Sequence, residues 1–203
     1  MSDHDRYRTI LIFGQPGAGK GTQGRLLGDL PGFFHLACGE VFRRLNPNSE
    51  LGRSFLHYSS SGFLVPDNFT IQLWREHIRG LASTGQFHPG EEILVLDGIP
   101  RNVEQAVMME EYIDLTLLVN LEASNENALV ARIKRRALHA NRLDDAHEEV
   151  IRQRFREYAT KTAALLDHYP SELIRIVDAG QEPIAVLQDV IACVRAGLAA
   201  RSP

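Results

Sequence analysis

The chain has 203 residues, 44% of them hydrophobic and 24% charged, which is the balance of a globular protein with material for one substantial core. Its net charge of −4 argues against a general attraction to nucleic acid or to an acidic membrane surface. No apolar run is long enough to span a bilayer, and the polar stretch from Met1 to Tyr7 lacks the pattern of a signal peptide.

In chain order, short apolar runs alternate with helical patterns. Thr9-Ile10-Leu11-Ile12-Phe13 predicts a strand that runs into Gly14-Gln15-Pro16-Gly17-Ala18-Gly19-Lys20-Gly21-Thr22, and Gln23 to Leu30 then reads as a helix. His35-Leu36-Ala37 is a short strand candidate, and Glu40 to Leu45 a turn or two of helix. Ser49 is placed to cap a helix through Phe55 and Leu56 to Ser59-Ser60-Ser61, with Gly62 as its stop. Pro66-Asp67 opens another helix, with Ile71, Trp74 and Ile78 on one face and Gly80 after it.

Ile93-Leu94-Val95-Leu96 and Leu115-Thr116-Leu117-Leu118-Val119 are continuous apolar runs of the kind buried parallel strands show. Ser124 is expected to cap a helix to about Leu138. A long helix is expected from His147 to His168, ending before Pro170, then a strand from Leu173 to Val177. Pro183 opens a last helix with Ile184, Leu187, Ile191, Val194 and Leu198 on one stripe. Five strands separated by helices predict a parallel, doubly wound α/β sheet.

Three groups of residues carry chemistry. The first is the loop from Gly14 to Thr22. Backbone N–H groups wrap polyphosphate at close range only where the chain has free backbone angles, and the glycines of this loop allow that. The helix behind the loop adds its positive end. Lys20 supplies a mobile charge for β- and γ-phosphates, and Thr22 a hydroxyl for Mg²⁺ or a phosphate. The second group is Asp97-Gly98-Ile99-Pro100-Arg101. Asp97 ends an apolar strand at the sheet edge where ligands bind, placed to hold Mg²⁺ through water, and Arg101 can clamp a phosphate.

The third group is basic. Of 22 basic residues only Lys20, Lys134 and Lys161 are lysines, and arginine suits bidentate phosphate recognition. Arg132 and Arg136 share a helix face, Arg142 sits in a short polar loop, and Arg154 lies on the next helix. Arg132, Arg142 and Arg154 are candidates for phosphate contact. Arg135, Arg152 and Arg156 read as a solvated face balanced by Glu148, Glu149 and Glu157. Cys38 and Cys193 match no metal or redox spacing, so a reduced, cytoplasmic setting is expected.

With these residues the chain resembles the nucleoside monophosphate kinases, most closely the adenylate kinases, from about Ile10 to Leu198. Gly14 to Gln23 is similar to that family's phosphate loop, Lys-Gly-Thr included. Ser49-Glu50-Leu51-Gly52 and Gly62-Phe63-Leu64-Val65-Pro66-Asp67 resemble the flanks of its monophosphate-site helix. Asp97 to Arg101, with Gln105 beyond, resembles its Asp-Gly-Phe-Pro-Arg segment and adenine-facing glutamine. Arg132 to Arg136 and Arg142-Leu143-Asp144-Asp145 resemble the two sides of its lid. Two places depart: Ala37-Cys38-Gly39-Glu40 stands where Ser-Thr-Gly-Asp is common, and Ile99 replaces a phenylalanine.

The resemblance implies a P-loop NTPase-type five-stranded sheet with a monophosphate-binding insert at about 38–67 and a short lid at about 137–147. The lid holds no cysteine and so no structural zinc. It implies a cytoplasmic, monomeric enzyme of nucleotide biosynthesis that moves the γ-phosphoryl group of ATP-Mg²⁺ to AMP. ATP would meet Gly17 to Thr22, Arg132, Arg136 and Gln181. AMP would meet Cys38, Arg43, Phe63, Leu64, Val65, Gly98, Arg101 and Gln105. Lys20, Arg101, Arg132, Arg142 and Arg154 would act on the transferring group. UMP or CMP is the alternative acceptor. A P-loop ATPase or switch and a non-catalytic nucleotide binder are the rival classes.

Overall fold

The computed structural model describes residues 6–140 and 147–200. Its sheet has five strands in the order β2-β3-β1-β4-β5: β1 (Tyr7–Gly14), β2 (Phe33–Ala37), β3 (Ile93–Asp97), β4 (Ile113–Glu122) and β5 (Ile174–Asp178). Every neighbouring pair is parallel, with Ile10 opposite Val95 on one side and Leu117 on the other. The expected doubly wound fold is present, and each strand extends one or more residues beyond the apolar run that signalled it or shifts by one.

Successive side chains of a strand point to opposite faces, and the sheet shows why its strands read as unbroken apolar runs. Ile10 and Ile12 of β1, Val95 of β3 and Leu117 and Val119 of β4 enter one core; Leu11, Phe13, Leu94, Leu96 and Leu118 enter the other. The first core is covered by α1 (Lys20–Gly28), α6 (Glu126–Ala140), α7 (Glu148–Glu157) and α9 (Pro183–Ala199). The second is covered by α2 (Cys38–Arg43), α4 (Asp67–Ser83), α5 (Val103–Met109) and α8 (Leu165–His168). Trp74 and Ile78 of α4 lie fully within it. Between α2 and α4 runs α3 (Glu50–Ser60), which buries only Gly52 and Ser59.

Several boundaries differ from the sequence expectation. Ser49 does cap α3, its Oγ accepting from the Gly52 N–H at 3.0 Å, and Gly62 follows with φ 77°. But α4 passes through Gly80, with Leu81 still packed against the core, and stops at Ser83, two residues before Gly85, whose φ of 67° turns the chain. Asn125, not Ser124, caps α6, accepting from the Ala128 N–H at 3.0 Å. The long helix after His147 is interrupted by a π turn at Tyr158–Thr162. On α9 the buried line is Val186, Val190 and Val194, while Ile184 is 70% exposed. The helix α5 was not expected at all; Asn102 caps it, accepting from the Gln105 N–H at 2.8 Å. The expected insert contains α2, α3 and the first residue of α4. Most of the expected lid, 141–146, lies outside the described residues. Among the described residues no helix is long and apolar enough to cross a membrane.

Candidate active site

The loop leaves β1 at Gly14, where φ is 139° and a Cβ would stand 2.4 Å from the carbonyl oxygen of Leu121 on β4. Only glycine passes there. α1 then starts at Lys20, and the Gly19 carbonyl accepts the N–H groups of Thr22 and Gln23 at 2.9 and 3.0 Å. The Lys20 Nζ turns back into its own loop and donates to the carbonyls of Gly14 (2.6 Å) and Gln15 (2.9 Å). Loss of hydration brings its pKa down from 10.5 to about 8, with Arg101 and Arg136 pushing the same way against the opposing pull of Asp97.

Asp97 closes β3 beside the start of α1: a Cβ on Gly21 would lie 3.2 Å from its Oδ2. The missing side chain at Gly21 therefore lets the first helical turn approach this carboxylate. Thr22 and Asp97 line the same cavity and offer a hydroxyl and a carboxylate, the oxygen donors that Mg²⁺ takes alongside water and nucleotide phosphates. Among the described residues no group of three or more His, Cys, Asp or Glu side chains could hold a metal by itself.

Beyond Asp97 the chain turns through Gly98 (φ 83°) to Arg101, whose Nε donates to the Gly98 carbonyl at 2.9 Å. The main chain of Arg101 is held on both sides. Its N–H donates to Gln105 Oε1 at 2.8 Å, and its carbonyl accepts from Thr162 Oγ1 at 2.7 Å. Gln105 is only 1% exposed, and its Nε2 donates to Asp67 Oδ1 at 2.7 Å. Cys38 opens α2 and is buried; loss of hydration pushes its thiol up to about 12, so it is neutral near pH 7. Arg43 folds over Gly39, where a Cβ would meet its Nη2 at 3.2 Å. Phe42 stacks on Phe55 of α3 with ring centres 5.2 Å apart.

Two further segments complete the walls. Arg132 of α6 donates from Nη1 to the Ala179 carbonyl at 2.8 Å, joining α6 to the turn after β5. In that turn Gln181 donates from Nε2 to the Asp178 carbonyl (3.1 Å) and to Asp189 Oδ2 (2.9 Å). Arg154 of α7 reaches the Ser59 carbonyl of α3 at 3.5 Å.

One cavity of about 610 Å³ joins these segments. Every described residue proposed from sequence lines it: Gly17 to Thr22, Arg132, Arg136 and Gln181; Cys38, Arg43, Phe63, Leu64 and Val65; Asp97, Gly98, Arg101, Gln105 and Arg154. Arg142 lies outside the described residues.

The reading of the remaining charges needs correction. Arg135 is exposed, as a solvated face requires, although it also lines the cavity. Glu157 is the exception: it lines the cavity, is 8% exposed and pairs with Lys161 at 2.8 Å, and so is not a surface counter-charge. Arg152 does belong to the solvent side, pairing with Glu148 at 2.8 Å and Glu126 at 3.6 Å. Sequence reading also missed Arg25, Ser59, Thr70, Tyr158 and Thr162 as lining residues. Helical spacing from Thr22 could have pointed to Arg25. Nothing in the sequence signals Thr162, 61 residues from the carbonyl it holds.

A family model described as adenylate kinase matches residues 12–174. The chain is 36% identical to an adenylate kinase of Flavobacterium psychrophilum over 79% of its length and 83% of that protein. It is 34% identical to one of Flavobacterium johnsoniae, covering 80% and 85%. With one of Mycolicibacterium vanbaalenii the identity is 38%, covering 84% and 90%.

Proposed function

The chain belongs to the adenylate kinase family, and from that premise we propose that it transfers the γ-phosphoryl group of ATP to AMP, giving two ADP. The observation that carries this reading is the single cavity, lined both by the phosphate loop and by Cys38, Arg43, Arg101 and Gln105. A site for donor hydrolysis alone would have no use for the second set.

In the transfer, a phosphate oxygen of AMP attacks the γ-phosphorus in line, the bond from phosphorus to the β–γ bridging oxygen breaks, and ADP leaves with that electron pair. Little covalent chemistry is asked of the protein, so its residues act by position and charge. Backbone N–H groups from Gly17 to Thr22 hold the donor phosphates, and Lys20 exchanges the Gly14 and Gln15 carbonyls for phosphate oxygens. Thr22 and Asp97, the latter through water, are the residues that would hold Mg²⁺ arriving with ATP, which would supply neutralisation of phosphate charge. Arg43 and Arg101 fix the acceptor phosphate. Arg136 meets the donor phosphates, and Arg132 and Arg154, to which the family resemblance adds Arg142, surround the group in flight. Gln181 borders the donor base. Two free cysteines suit a reducing, cytoplasmic compartment, and the family resemblance carries a monomer.

A panel of monophosphates with ATP-Mg²⁺ tests the reading. AMP should exceed CMP and UMP by roughly a hundredfold or more in kcat/KM, taking ~1–3 kcal/mol for the contacts paired with the right base. ADP formation that does not depend on an added monophosphate would instead indicate an ATPase.

A further inference from the structure

The Gln105 amide has its orientation decided by its partners. Its Nε2 faces the carboxylate of Asp67 at 2.7 Å, and its Oε1 faces the N–H of Arg101 at 2.8 Å. A carboxylate oxygen accepts and a backbone N–H donates, so the flipped amide would set donor against donor and acceptor against acceptor. Asp67 is itself held: Asn102 Nδ2 donates to its Oδ1 and Oδ2 at 3.0 and 3.1 Å. Asn102 cannot flip either, because its Oδ1 accepts the Gln105 N–H that starts α5. Three side chains from two helices thus form one closed relay, 1% exposed at Gln105 and bordering the cavity.

What the relay leaves unused is one N–H and one lone pair of the Gln105 amide, in a fixed order. A 6-aminopurine offers a donor at N6 and an acceptor at N1. A 6-oxopurine in the same pose offers an acceptor at O6 and a donor at N1. A freely rotating amide could serve both by turning over; a fixed one serves one. We infer that Asp67 is a positioning residue that fixes the sense of the Gln105 amide and so selects 6-amino over 6-oxo purine monophosphates. This rests on the adenylate kinase reading and names a specificity determinant within it.

The experiment measures kcat and KM for AMP and for inosine monophosphate, at saturating ATP-Mg²⁺, in the unaltered protein and in Asp67→Ala, Asp67→Ser and Asp67→Asn. Serine suits a helix start but is too short to reach Gln105, so it carries the test where alanine fails to fold. Asparagine keeps an acceptor oxygen for Nε2. The expected result is a preference for AMP that falls roughly tenfold in Asp67→Ala and Asp67→Ser, about one bidentate contact's share of discrimination. The fall should come through a raised KM for AMP and a lowered KM for inosine monophosphate, with KM for ATP unchanged and most of the preference restored in Asp67→Asn. A purely structural role would lower kcat for both acceptors and leave their ratio alone, and that outcome overturns the inference. So does an unaltered protein that uses both acceptors equally. No transfer to AMP in the unaltered protein overturns the kinase reading itself, and the inference with it.

Discussion

The ammonium of Lys20 lies 2.6 Å from the carbonyl oxygen of Gly14, six residues back in its own loop. The cation proposed to neutralise incoming phosphate is thus already seated among backbone acceptors, where it has given up hydration. Lys20→Met should remove the charge, keep the apolar stem and leave the fold intact. Turnover should fall about a thousandfold or more, the scale seen when a transition-state charge clamp is lost. Steady-state kinetics with a circular dichroism check on folding decide it, and near-normal turnover in a folded variant would remove Lys20 from the mechanism.

The lowered pKa of Lys20, about 8, gives two pH signatures. In the folded protein the proton leaves near pH 8, while the unfolded chain keeps it to about 10.5, so the unfolded state holds more protons in that window. Stability should therefore rise with pH from about 8 to 10.5 through this group, and Lys20→Met, free of the charged form's burial, should have a higher Tm than the unaltered protein at pH 7 by roughly a few degrees. The gap should close toward pH 10. Bound phosphate favours the charged lysine, so kcat/KM for ATP should fall above about pH 8 while kcat stays level to higher pH. Equal pH dependence of both quantities would assign the transition elsewhere.

The phosphate loop was legible because its demands are local: glycines, a lysine and a helix start, all within nine residues. The strands were legible because burial on both faces leaves apolar runs no polar alternation. What sequence could not supply were relationships that tertiary packing alone creates. Thr162 and Arg101 meet across 61 positions, Asp67 and Gln105 across 38. The assignment of Glu157 failed for a related reason. Glu148 and Glu149 at the start of α7 are exposed, and only the fold shows that the helix turns the third carboxylate inward beside Phe155. On α9, every apolar residue fits a helical stripe, so spacing alone could not choose the face that buries Val186 over the one that carries Ile184.

Two glycines of the loop should fail differently when given a methyl group. At Gly14 a Cβ meets the Leu121 carbonyl at 2.4 Å, and main-chain atoms of a central strand cannot move aside. Gly14→Ala should cost about 2–4 kcal/mol of stability, in the range of severe backbone and packing insults. At Gly19 φ is 100° but nothing lies within 4 Å, so Gly19→Ala should cost only the conformational strain of about 1–2 kcal/mol. Urea denaturation of the two variants separates clash from strain; equal losses would mean the strand yields.

Arg152 and Arg154 stand two residues apart on α7 and should respond oppositely to truncation. Arg152 pairs with Glu148 and Glu126 at the surface, with about half of each side chain exposed, where such contacts contribute little. Arg152→Ala should change stability by less than about 0.5 kcal/mol and turnover by less than about twofold. Arg154 lines the cavity and reaches the Ser59 carbonyl of α3, and in the proposed transfer it is one of the residues that meet the transferring group. Its contact with phosphate should strengthen as charge builds in the transition state, so Arg154→Ala should lower kcat by about a hundredfold or more with a small change in KM for AMP. A large rise in KM with kcat preserved would place Arg154 with Arg43 and Arg101, the residues proposed to bind the acceptor, uniform binding having been lost instead of transition-state stabilisation.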